Sequence, residues 1–224
     1  MLADSTTGII KSDGSVVSTA HPAGADTFAH LGSSASLWSA TVGDEPQVGA
    51  FHLDGRTELA YLMMLRGARA ADAGFGVAEP LVRLLTTAAH GWCPLPDGGT
   101  PPFVAQAREA ILADDPAARS LLSLAALLGV SPYQLSRRFS ACTGMSLTQY
   151  RNRVRVSRAL SRLAAGERDL AGLAADLGFA DQAHLTRAVK AAAGMAPGAV
   201  RTMTADPGPW PDRDLAERII GVVC

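Results

Sequence analysis

The chain predicts an α+β fold of unequal parts: a small, partial antiparallel β region with a helical pair, then an all-α domain of two helix-turn-helix lobes joined by a long helix. Three observations carry this. Residues 122–201 say nearly the same thing twice, each time as a short apolar helix, a glycine turn and a second helix with arginine on its outer face. Between the copies, Leu147 to Ala164 contains no glycine or proline. Ahead of them, short apolar segments alternate with Asp, Gly and Pro at strand spacing.

In chain order, segments 9–18 and 27–41 are broken by Asp13, Gly14, Pro22, Gly24 and Gly32, which favours small antiparallel strands. Apolar residues then recur at helical spacing over 57–69 (Leu59, Leu62, Met63, Leu65) and 77–90 (Leu81, Leu84, Leu85), with Gly74 and Gly76 dividing the two. Two readings stay open for this pair: dimer contact, or packing within the chain. Residues 93–102 hold four prolines and the Gly98-Gly99 pair and form the linker. The expected division is therefore 1–92, a linker at 93–102, a helical domain at 103–203, and a tail at 204–224. Within that tail, 206–211 is rich in breakers and 215–223 is amphipathic, so the end of the chain either docks on a neighbour or frays.

The first copy runs from Leu124 through Gly129 to Leu135 and Phe139, closing at Gly144; the second runs from Leu173 through Gly178 to Leu185 and Val189, closing at Gly194. The turn glycines are 49 positions apart and the helices after them 50, so one extra residue sits in the second turn. Ser131 is a natural N-cap, Pro132 falls at the first helical position where its missing N–H costs nothing, and Gln134 completes a capping-box pattern. Asp181 caps the second copy. Leu135 and Phe139 share the packing face of one helix, Leu185 and Val189 that of the other. Tyr133, Ser136, Arg137 and Ser140 then look outward on the first, and Gln182, His184, Thr186, Arg187 and Lys190 lie beside or opposite the packing face of the second.

Ser146 and Gln149 open the connecting helix with another capping box, and Gly166 ends it. Its 18 residues span roughly 27 Å. With the width of two lobes added, that length suits successive major-groove faces about 34 Å apart on B-DNA. No acidic residue occurs from Ser146 to Gly166, whereas Arg151, Arg153, Arg155, Arg158 and Arg162 do. A merely solvated helix usually mixes signs, so some of these arginines are expected to face phosphate.

The distribution of charge agrees. The formal net charge is −1, yet residues 103–203 carry 13 Lys and Arg against 7 Asp and Glu, whereas residues 1–102 carry 5 against 10. A basic module flanked by acidic segments is expected where one domain faces nucleic acid.

Several other classes find no support. Cys93, Cys142 and Cys224 are scattered and odd in number, which fits reduced thiols. Cys93 beside Pro94 is conceivable as a nucleophile, but no base or orienting group can be named around it, so no enzyme is expected. His21, His30 and His52 lack a compact ligand spacing, so neither metal nor cofactor is expected. No apolar run reaches bilayer length, the start lacks a basic stretch followed by an apolar core, and a cytoplasmic protein follows as the expectation.

With these residues in place, 103–203 resembles the DNA-binding domain of AraC/XylS-type transcription regulators. The resemblance rests on Leu135, Ser136, Arg137, Arg138, Phe139, Gly144, Ser146 and Tyr150, then Ala159, Leu160, Leu163, Leu173, Ala174, Leu177, Gly178, Phe179, Asp181, Leu185, Arg187, Lys190, Gly194, Pro197 and Arg201. The chain departs from the family's pattern at Leu185, Val189 and Val200, where the family carries aromatic residues, and at Ala196, where it carries serine or threonine. Bulk is lost from the second lobe. Residues 1–92 resemble the latter part of the family's cupin-like sensing barrel, without its opening strands.

The resemblance implies a sequence-specific regulator of transcription with double-stranded DNA as partner. It also implies a homodimer through the N-terminal region, a small-molecule effector and contact with the transcription machinery. By the same resemblance, base edges are read by Tyr133, Ser136, Arg137, Gln182, His184 and Arg187. The chemistry fits, since arginine grips guanine and glutamine grips adenine through paired hydrogen bonds. Arg138, Thr186 and Lys190 are better placed for phosphate, where they set register rather than preference. The alternative is an accessory regulator that dimerises with a full-length homologue and has little specific DNA binding of its own.

Overall fold

The computed structural model describes residues 7–10, 36, 39–40, 49–69, 73–90, 92–94 and 100–204. Thr7–Ile10 (β1), Gly49–His52 (β2) and Trp92–Pro94 (β3) pair antiparallel in that order, with Gly8 opposite Phe51 and Ala50 opposite Cys93. The segments 9–18 and 27–41 expected as strands fall mostly outside the described residues; Ser36, Ser39 and Ala40, within the second, are helical. Also outside them lie His21, His30, linker residues 95–99 and the tail from 205 onward.

The helical pair is Gly55–Arg69 (α1) and Ala73–His90 (α2). Asp54 holds the first turn of α1, its Oδ1 accepting from the Thr57 N–H at 2.8 Å and the Thr57 hydroxyl at 2.7 Å. Gly74 and Gly76 do not divide the helices as expected but lie in the first turn of α2. Pro80, inside α2, brings no N–H to the carbonyl of the residue four back, which is Gly76. Ala60 and Met64 of α1 pack with Leu81, Leu84 and Leu85 of α2. Leu59, Leu62 and Met63, on another side of α1, join the core of the second lobe. These contacts are packing within the chain, one of the two readings left open for the pair.

The first lobe comprises Pro102–Leu112 (α3), a 3-10 turn at Pro116–Arg119, Leu121–Leu127 (α4) and Pro132–Thr143 (α5). They close over the start of Leu147–Ala164 (α6), and Leu170–Asp176 (α7), Gln182–Ala193 (α8) and Pro197–Thr204 (α9) close over its end. The connecting helix has the expected bounds. Its capping box is complete: Ser146 N–H donates to Gln149 Oε1 at 2.8 Å and Gln149 N–H to Ser146 Oγ at 3.3 Å.

Two apolar rows on α6 divide the domain. Leu147, Tyr150 and Val154 belong to the first core; Val156, Ala159, Leu160 and Leu163 belong to the second. At about 100° per residue, the step from Val154 to Val156 turns the apolar row to nearly the opposite side of the helix. The lobes therefore lean on different faces of one rigid spine. Phe139 anchors the first core, meeting the Tyr150 ring edge-on at 5.3 Å between centroids. At the corresponding place the second core has Val189, as the sequence implies.

Candidate nucleic-acid interface

Each lobe builds its turn in the same way. Helix α4 ends with Val130 N–H donating to Ala125 O at 3.1 Å and Gly129 N–H to Ala126 O at 3.2 Å; α7 ends with Phe179 N–H to Ala174 O at 2.9 Å and Gly178 N–H to Ala175 O at 3.2 Å. This is a Schellman ending, which needs a left-handed residue, and Gly129 and Gly178 have φ of 65° and 71°. After it, the Ser131 hydroxyl accepts from Gln134 N–H at 3.1 Å and Asp181 Oδ1 from His184 N–H at 2.6 Å, starting α5 and α8. Asp181→Ala is expected to lower stability by about 1 kcal/mol and to fray the first turn of α8, read as faster amide exchange at 182–185.

The extra residue of the second turn, Ala180, is fastened by a neighbour. Its N–H donates to His184 Nδ1 at 3.4 Å, and the His184 ring stands perpendicular to Phe179 at 5.4 Å. That leaves Nε2 as the nitrogen not used in the turn. His184, expected as a base reader, thus also braces its own turn, a role visible only once Phe179 and the imidazole are seen together.

The remaining expected site residues divide by helix and exposure. On α5, Tyr133, Ser136, Arg137 and Arg138 are all exposed, Tyr133 at 73%. Tyr133, Gln134, Arg137 and Arg138 line a shallow open concavity at the start of that helix. Arg137 and Arg138 make no hydrogen bond or ion pair with any described residue. On α8, Gln182, His184, Arg187 and Lys190 are exposed and Thr186 is half-buried. Arg187 is partly occupied, its Nε donating to the Ala183 carbonyl one turn back at 3.3 Å.

Three of the five arginines of α6, from which the sequence expects some to face phosphate, tie the fold together. Arg153 Nε donates to the Leu53 carbonyl at 2.8 Å, ahead of α1. Arg158 donates to the carbonyl of Leu112, the last residue of α3, where a helix end leaves acceptors free. Arg162 pairs with Glu167 at 2.6 Å and Asp176 at 2.8 Å. These pairs hold the Arg162 guanidinium above its ordinary pKa and the Glu167 carboxyl below its own. The absence of acids within α6 had hidden them, since the partners are backbone carbonyls and carboxylates from other segments. Arg155 lies against the second turn, Nη2 standing 3.5 Å from where a Cβ on Gly178 would be. Arg151 Nε and Nη2 are buried with no hydrogen-bond partner among the described residues, and that burial, followed by the nearby Arg155 charge, lowers its pKa.

Sequence reasoning also missed a buried carboxyl. Glu58 on α1 accepts from the Ser157 hydroxyl of α6 at 2.7 Å. Burial pushes it up to about 7, against the lowering effects of the Ser157 bond and the Arg153 charge. No helix among the described residues is long and apolar enough to cross a membrane.

No curated protein matches the chain. Among solved structures, the C-terminal domain of AraT, a response regulator from Geobacillus stearothermophilus, is 28% identical, with a TM-score of 0.44, over 51% of this chain and 94% of that one. ToxT from Vibrio cholerae O395 is 15% identical, with a TM-score of 0.42, over 75% of this chain and 65% of that one. The model of the family described as "Helix-turn-helix domain" matches residues 124–203, a span running from the core of α4 into α9. Residues 124–203 are a helix-turn-helix domain.

Proposed function

We propose that this chain is a sequence-specific DNA-binding regulator of transcription whose helices α5 and α8 read adjacent major grooves. The observation that carries the reading is the repetition itself. Two lobes with the same turn, hung on one rigid helix, each expose the outer face of their second helix, and those faces carry cations with no ion-pair partner among the described residues. Tyr133, Ser136 and Arg137 on α5, and Gln182, His184 and Arg187 on α8, are the base-reading side chains. Arg138, Thr186 and Lys190 hold phosphate. Arginine and glutamine can each make two parallel bonds to a base edge, and each good pair discriminates by roughly 1–3 kcal/mol.

Arg137→Ala is expected to weaken binding to the selected sequence by about ten- to a hundredfold and to relax preference at one base pair. Lys190→Ala is expected to weaken specific and random DNA alike and to reduce the salt slope by about one. Titration of each variant against the selected duplex and a scrambled one, at two salt concentrations, separates the roles. An equal loss on both duplexes for Arg137→Ala contradicts base reading.

A further inference from the structure

We propose that α1, from the N-terminal part of the chain, is a positioning element for the second recognition helix, gripping its C-terminal end so that readout by the second lobe depends on a segment outside the helix-turn-helix domain. The proposal rests on the reading of α8 as a recognition helix. It names which part of the chain governs that helix.

The grip is built from several independent contacts. A Cβ on Gly55 would stand 2.8 Å from Ala192 Cβ and 2.9 Å from the Ala192 backbone carbon, so only glycine lets the start of α1 lie against the end of α8. One residue on, the Arg56 guanidinium covers Gly194, the left-handed residue that closes α8, its Nε 3.6 Å from where a Cβ would be. A cation there faces the negative end of the helix dipole. Arg153 and Ser157 of α6 fix the same end of α1 through the Leu53 carbonyl and Glu58. At the other end, Arg66 donates to the Met203 carbonyl of α9 at 2.7 Å.

Between these ties, Leu59, Leu62 and Met63 pack into the cluster that holds Leu185 and Val189. The first lobe is covered instead by α3, whose Val104, Ala107 and Ile111 lie in its core. The lobe with the smaller side chains thus takes apolar volume from a helix more than 100 residues earlier in the chain. A change transmitted through α1 therefore reaches α8 without passing through α5.

The test uses the full chain carrying Gly55→Leu, which wedges the contact, and Arg153→Gln, which removes one tie without adding bulk. Without DNA, amide exchange in 190–194 is expected to quicken about tenfold in Gly55→Leu, and less in Arg153→Gln, with 140–144 unchanged. In selection from a random DNA pool, both variants should keep the sequence block read by the first lobe and lose information from the second block. Arg153→Lys, which can still donate to the Leu53 carbonyl, should restore it in part. Unchanged exchange in 190–194, equal quickening in both lobes, or retention of both blocks would each overturn the proposal. Failure of the unaltered chain to enrich any sequence would contradict the function proposed above, while the exchange measurement would still decide whether α1 holds α8.

Discussion

Phe139→Ala is expected to cost about 3–5 kcal/mol of folding free energy, among the largest effects of any single truncation in this chain. Phe139 has no exposed surface, and its ring meets Tyr150 edge-on at 5.3 Å. Removing it leaves a cavity bounded by helices that cannot collapse inward. Helix α6, which carries Tyr150, is also committed to the second lobe, and Tyr150 is held in turn by Arg108, whose guanidinium carbon lies 6.0 Å from the ring centroid. Val189→Ala at the corresponding place in the second lobe removes less volume and should cost less. Urea unfolding followed by circular dichroism measures both. A loss below about 1 kcal/mol for Phe139→Ala would mean that the first core does not depend on this ring.

Glu58 gives the second large effect, through pH. Its folded pKa is raised from 4.5 to about 7, so between those values the folded chain holds a proton that the unfolded chain has released. Stability is then fully supported by this group below pH 4.5, falls as pH rises, and has lost the contribution once pH passes about 7. The difference amounts to about 3 kcal/mol. Glu58→Gln keeps an oxygen to accept from Ser157 and cannot ionise. The variant should match the unaltered chain near pH 4, exceed it in stability by up to about 3 kcal/mol at pH 8, and remove most of the slope between. An unaltered pH dependence in Glu58→Gln would show that this carboxyl is not the group responsible.

How much of this was legible in the sequence depends on the range over which each feature is decided. Turns and caps are local. Gly129 and Gly178, Ser131, Ser146 and Asp181 each act within a few residues, and the sequence placed α5, α6 and α8 with the bounds observed. The outward faces of α5 and α8 follow from helical periodicity once Leu135, Phe139, Leu185 and Val189 are assigned inward, and those four are fully buried. Their contacts with DNA are a proposal that stands beyond periodicity.

Features decided at long range were not legible. The α6 arginines read as a free basic face because their partners Leu53, Leu112 and Asp176 lie on other segments. Gly74 and Gly76 read as a break because propensity disfavours glycine in helices, yet packing of Leu81, Leu84 and Leu85 on α1 accompanies a helix that begins at Ala73. The destination of Leu59 was equally hidden. Helical spacing marks it as apolar-facing, but nothing in residues 57–69 says that the face it meets belongs to residues 156–200.

The central claim is that two lobes read two grooves, and the most direct measurement is selection of bound duplexes from a random pool by the full chain at near-physiological salt. Two short enriched blocks about one helical turn apart are predicted, with preference relaxed at one position of the first block in Arg137→Ala and at one position of the second in Arg187→Ala. No enrichment over the starting pool, or a single block insensitive to both substitutions, would contradict the claim.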